Sequence, residues 1–203
     1  MLPGAMISLD HYLAAEQDRF RGMEGAFDGA IWAVLAAKAA GLVVTLSLCP
    51  TRQFTNRENL RRYLDLARGL GVAFVQFVEP RAAGHFAGQE VELPPQQLQL
   101  LEAFYCRYNS DPAYADYPII NYQGYHQRRL GCFGAGNRFL YVDTDGDAQR
   151  CPFCRGKVAS MLEFPMEDIV RLLQEEGCEA FETLSRNPQI FQPWTSEKRR
   201  QRK

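Results

Sequence analysis

The sequence predicts an α/β protein in which parallel strand-helix units are followed by a small cysteine-bearing β-hairpin and a helix. Three observations predict it. Short apolar runs rich in β-branched and aromatic residues alternate with helix-length segments through the first half. Polar or small residues follow each run: Asp10, then CPTR from Cys49, then EPRAAG from Glu79. In the second half this alternation gives way to a loop-rich aromatic stretch, then to cysteines that bracket a glycine turn.

The first strand is AMISL, Ala5 to Leu9, with a polar loop after Asp10. A helix follows in AIWAVLAAKAAG, stopped by Gly41, and LVVTLSL, Leu42 to Leu48, is the second strand. Thr55 and Glu58 in TNRE form a capping box for a helix that runs to Gly71. The third strand, VAFVQFV from Val72 to Val78, is apolar at nearly every position, as befits a parallel strand covered on both faces. A third helix over 94–109 completes about three βα units. Ligands bind at the carboxyl ends of such strands, so an active surface is expected beyond Asp10, Cys49 and Glu79. Three units do not close a barrel, and AMISL is left as an apolar edge, so further strands are expected upstream.

A domain boundary is expected near Ser110, giving domains 1–110 and 111–185 and a basic tail 186–203. A chain of 203 residues with 46% hydrophobic content can bury one sizeable core and a smaller appendage. A net charge of -1 gives no global field toward nucleic acid or anionic lipid, and the SEKRRQRK end reads as a solvated tail. The N-terminus lacks a secretion signal, and Ala30–Cys49 is broken by Lys38 and Gly41, so the reading is cytoplasmic, with neither membrane nor nucleic acid as partner. Six cysteines in a reducing compartment are expected as thiols, which favours metal or cluster binding over disulfides.

FLYV, Phe139 to Val142, and AQRC, Ala148 to Cys151, flank DTDGD, with Gly146 supplying positive φ at the turn. Calcium is disfavoured, because the glycine is the fourth residue of the loop and no acidic twelfth ligand follows. The hairpin can bring Cys132 back near Cys151, Cys154 stands at ligand-pair spacing, and Cys178 beyond the next helix is a candidate fourth thiolate. Four thiolates suit zinc or an iron-sulfur cluster, and spacing leaves both open. Cys49 and Cys106 read as packed thiols, and His11, His85 and His126 as loop or surface histidines. Tyr114, Tyr117, Tyr122 and Tyr125 read as aromatic packing ahead of a peptide groove.

Cys132, thirteen residues, Gly146, four residues and Cys151 resemble the cysteine pattern of the SPASM or twitch extension of radical S-adenosylmethionine (SAM) enzymes. ISLDH followed by DRFRGMEGAF is similar to the stretch after the fourth strand of their barrel. The resemblance covers most of the chain. It implies the C-terminal half of a (β/α) barrel followed by a domain holding an auxiliary 4Fe-4S cluster on Cys132 and Cys151, with Cys154 and Cys178 as candidate further ligands. It also implies Ser8 and Asp10 near the SAM ribose and Arg21 near its carboxylate, roles suited to hydroxyl, carboxylate and guanidinium groups. In such enzymes a SAM-derived radical abstracts hydrogen from a substrate, often a peptide or protein side chain. Their CxxxCxxC catalytic motif does not occur in this sequence, so no catalytic residue is assigned and the chain by itself is expected to be inactive. The implied partners are an N-terminal radical SAM half or a reductant protein, and a peptide substrate. From a different class, a non-enzymatic iron-sulfur electron carrier or a zinc-stabilised binding module could use the same hairpin.

Overall fold

The computed structural model describes residues 3–131, 134–154 and 156–177. The chain forms two compact units, one of residues 1–82 with 88–123 and one of residues 83–87 with 124–203.

The first unit is a four-stranded parallel sheet in the order β1 (Gly4–Ser8), β2 (Val43–Leu48), β3 (Phe74–Phe77), β4 (Ile119–Tyr122). Between β1 and β2 lie α1 (Ala14–Arg21) and α2 (Ala26–Ala39); α3 (Arg57–Gly69) and α4 (Pro95–Ser110) make the other crossovers. Two of these elements differ from the sequence expectation. The polar segment after Asp10 holds α1, whose Asp18 accepts hydrogen bonds from Gly25 N and Phe27 N at 2.8 Å, satisfying amides at the start of α2. The fourth strand lies in the stretch read as loop. Asn109 on α4 pins it by donating to Ile120 O and accepting from Ile120 N, both at 2.9 Å, so one side chain replaces a missing strand neighbour.

Two local expectations also resolve. Gly41 follows α2 at φ 75°, where a side chain would be strained. The cap of α3 is Asn56, whose side chain accepts from Asn59 N at 2.9 Å; Thr55 bonds Thr51 O, and Glu58 pairs with Arg61 and Arg62, so the Thr55–Glu58 capping box does not form.

An order of 1-2-3-4 with no reversal, joined by crossovers of the usual right hand, puts the connecting helices on one face. Burial agrees. Val44, Leu46 and Leu48 of β2, Val75 and Phe77 of β3, and Ile120 and Tyr122 of β4 are buried with Val34, Leu60, Tyr63, Leu64 and Leu101 of the helices. Each large apolar side chain buried there contributes about 2 kcal/mol. The alternate residues form the other face, on which Met6 and Ile119 are exposed. Among the described residues the outer edge of β1 has no partner strand, and Trp32 and Leu35 on α2 are exposed.

The second unit carries α5 (Gln123–Leu130), the antiparallel sheet β5 (Tyr141–Val142), β6 (Asp147–Gln149), β7 (Ala159–Ser160), and α6 (Met166–Glu176). The hairpin of β5 and β6 turns through Gly146 at φ 81°. Its strands are shorter than the sequence implies at the end away from the turn, where Phe139 O and Arg150 O accept from Gly136 N and Ala135 N instead of continuing the ladder, while Asp143 braces the turn itself. Its Oδ1 accepts from Asp145 N and Asp147 N, each at 3.0 Å, and its Oδ2 accepts from Gln149 Nε2. The core is small: Ala148, Ala159, Ile169 and Leu173, with Leu140, Val158, Met161 and Leu172 packed against it. No helix among the described residues is long and apolar enough to cross a membrane.

Candidate functional site: the sheet crest and the thiol pair

At the carboxyl end of β1, Asp10 has a 4% exposed side chain. Gln17 Oε1 accepts from Asp10 N at 2.7 Å and fixes the turn, while Asp10 Oδ1 accepts from Cys49 N at 2.8 Å, joining the crests of β1 and β2. Arg21 Nη2 stands 2.5 Å from Oδ2. This is an ion pair by distance whose N–H is not aligned as a hydrogen bond, leaving Oδ2 without one. Burial pushes the Asp10 carboxyl up from its ordinary value, against the Cys49 amide and the Arg21 charge, which favour the anion. Of the three residues tied to SAM by resemblance, Asp10 and Arg21 thus meet each other, and Ser8 is exposed on β1. Cys49 is pushed up to about 11 by burial and by Asp10, which makes it an inert thiol at neutral pH.

A second carboxylate-arginine pair follows β3. Glu79, with a 9% exposed side chain, accepts from Tyr122 OH at 2.5 Å and pairs with Arg81 at 3.3 Å. Arg81 also reaches Glu92 at 3.7 Å. Strand register adds a third feature. Ser8 pairs with Ser47, Ser47 with Gln76, and Gln76 with Asn121, so one row of small polar side chains crosses the helix-free face just below the crest. None of the four side chains hydrogen-bonds another described residue. Sequence reasoning singled out only Ser8. The alternation of Ser47 and Gln76 with buried neighbours carried the signal for the rest, but β3 was read as covered on both faces.

In the second unit Cys151 is 8% exposed and Cys154 half-buried. Cys154 N–H donates to Cys151 Sγ at 3.2 Å. An amide directed at sulfur in this way would stabilise charge on the Cys151 thiolate. Neither cysteine is in a disulfide. Cys132 and Cys178 lie outside the described residues, but the segments beside them are described. Ala135, three residues after Cys132, donates its N–H to Arg150 O at 2.8 Å, and Gln174 Nε2 donates to Gly136 O at 3.0 Å. Glu176, two residues before Cys178, pairs with Arg150 at 3.8 Å. Among the described residues no group of three or more His, Cys, Asp or Glu is placed to hold a metal ion.

Cys106, expected as a packed thiol, is exposed on α4, because it faces away from the buried Leu101 and Tyr108 of the same helix. His11 is held between Tyr12 and Phe54 and accepts from Leu13 N at 3.0 Å, and burial lowers its pKa. Tyr114 and Tyr117 pack with Tyr108, capped by Arg107 and Arg68, while Tyr122 is buried against Phe77 and Tyr105. These are packing arrangements. No protein-family model matches the chain, and no curated protein matches it significantly.

Proposed function

We propose that this chain is the C-terminal part of a radical SAM enzyme, with the first unit forming part of a (β/α) barrel wall and the second binding an auxiliary 4Fe-4S cluster. The observation that carries this reading is the Cys151–Cys154 turn, together with the segments flanking Cys132 and Cys178 that meet at Arg150. The described part of the donor set, two thiols with a backbone amide directed at one of them, is of the soft kind the group takes. When bound, the cluster supplies an electron path or a substrate anchor. Barrel character is supported by the strand order without reversal and by a helix-free face lined with polar side chains. On that face Ser8 and Asp10 suit ribose hydroxyls, and Arg21, exchanging Asp10 for a ligand carboxylate, suits the amino acid end of SAM.

The open edge of β1 is where an N-terminal half holding the catalytic cluster would continue the sheet, and a peptide or protein side chain is the substrate class in this reading. The setting is cytoplasmic, where thiols stay reduced.

Anaerobic reconstitution with iron and sulfide tests the proposal: a brown protein with four irons, lost in Cys151→Ser and Cys154→Ser, is expected. A colourless protein binding one zinc would instead establish the zinc-stabilised module, which the same amide-to-sulfur turn accommodates. Mixing with a separately expressed N-terminal half, SAM and a reductant is expected to yield 5'-deoxyadenosine. Absence of that product from an iron-loaded mixture counts against the enzyme and leaves an electron carrier.

A further inference from the structure

We propose that Gln17 is the positioning residue of the sheet crest: its side chain fixes the turn that aims the Asp10 carboxylate and seats α1 so that Arg21 faces it. The inference rests on the reading of Asp10 and Arg21 as ligand contacts.

The chain leaves the β1–β2 ladder at Leu9, whose N–H still donates to Ser47 O at 3.0 Å. Beyond it, helix side chains take over the hydrogen bonds of the main chain. Gln17 Oε1 accepts from Asp10 N at 2.7 Å and from His11 N at 3.1 Å, and Tyr63 OH on α3 donates to Leu9 O at 2.7 Å. Gln17 is 1% exposed and is the one side chain that α1 buries. A surface helix normally docks through an apolar stripe, because burying an amide is costly unless its hydrogen bonds are replaced. Here two main-chain donors replace those of the Gln17 carbonyl, so α1 is seated on the crest by polar bonds.

Arg21 lies four residues further along, on the same face of α1, with its guanidinium 2.5 Å from Asp10 Oδ2. One helix face thus grips Asp10 twice, at the main chain through Gln17 and at the carboxylate through Arg21. The other oxygen, Oδ1, accepts from Cys49 N at 2.8 Å, so a change in the aim of Asp10 is reported at the crest of β2. Gln17→Met keeps the bulk of the side chain and removes the acceptor, leaving the Asp10 and His11 amides unpaired. Gln17→Glu keeps an oxygen that accepts from both. Asp18, the next residue of α1, accepts from Phe27 N at 2.8 Å and reports on the helix itself.

The test is amide hydrogen exchange of the full chain, read residue by residue by NMR, alongside the SAM dependence of 5'-deoxyadenosine formation in the mixture with the N-terminal half. Gln17→Met is expected to speed exchange at Cys49 N about tenfold, the size of a lost hydrogen bond to a carboxylate, with Phe27 N and the β2–β3 ladder unchanged. In the mixture it is expected to raise KM for SAM more than it lowers kcat, and Gln17→Glu is expected to recover most of both effects. Should Gln17→Met fail to fold, Gln17→Asn, which withdraws the oxygen by one methylene, is read in the same way. Unaltered exchange at Cys49, or exchange raised equally at Phe27 and across the ladder, overturns the positioning role. An unchanged KM in a mixture that makes product overturns its bearing on the ligand. Wild type that makes no product overturns the enzyme reading, while the exchange data still decide whether Gln17 aims Asp10.

Discussion

In the parallel sheet of the first unit, Leu46, Leu48, Val75, Ile120 and Tyr122 are buried against Leu60, Tyr63, Leu64 and Leu101 of the helices. The antiparallel sheet of the second unit has strands of 2 or 3 residues, and its apolar cluster among the described residues is Ala148, Ala159, Ile169 and Leu173. Small cores of that kind usually rely on a staple such as a metal or disulfide, because little apolar surface is removed from water. The turn between its strands is instead held by polar bonds to Asp143, and the Cys154 amide donates to the Cys151 sulfur. The first unit thus carries the larger apolar core among the described residues, and the second holds its turns chiefly by polar bonds.

The largest effect that would sharpen this contrast is on metal removal. Chelation of the reconstituted protein, or Cys151→Ser, is expected to abolish amide-exchange protection in β5, β6 and β7 and leave that of β1 to β4 in place. Equal loss in both units would break the comparison. Next comes Leu64→Ala on α3, fully buried in wild type, which is expected to cost about 2–5 kcal/mol in urea unfolding of the first unit. Gly146→Ala should destabilise the hairpin by about 1 kcal/mol, since its φ is 81° and a Cβ would stand 3.3 Å from Leu162. That loss is expected to shrink when the ligand-bound form holds the hairpin from its other end.

The smallest expected effect is on acid response, where the two units carry opposite signs. Asp10 in the first unit has a raised pKa, chiefly through burial, so its contribution to stability is present below the ordinary Asp range and is lost as pH rises through the folded value. Asp143 in the second has a lowered pKa, chiefly through the Asp147 amide, so its contribution is present above the ordinary range and is lost as pH falls through the folded value. Asp10→Asn is therefore expected to hold or slightly raise the melting temperature at neutral pH, relative to wild type, while weakening SAM binding in the completed enzyme. A large fall in melting temperature would show the Arg21 pair to outweigh burial.

The α/β class, the first three strands and the glycine hairpin were legible because each rests on local chemistry: apolar runs of strand length, a helix-stopping Gly41, and positive φ at Gly146. The fourth strand was not legible, because Ile119–Tyr122 is a short edge whose pairing is completed by Asn109 on another element. The same limit hid α1, whose polar sequence lacks an apolar stripe and whose Asp18 serves the next helix. At the site, Asp10 was legible as the polar residue ending a strand. Glu79 was legible in the same way beyond the third strand, whereas Ser47, Gln76 and Asn121 were not brought together by sequence, because only the register between strands aligns them.

Trp32 sits on α2, the helix leading from β1 to β2, with 72% of its surface in water. It is consequently a built-in optical gauge. Its emission will shift to shorter wavelength when another polypeptide covers that side, and titration with an N-terminal half can be followed without attaching any dye.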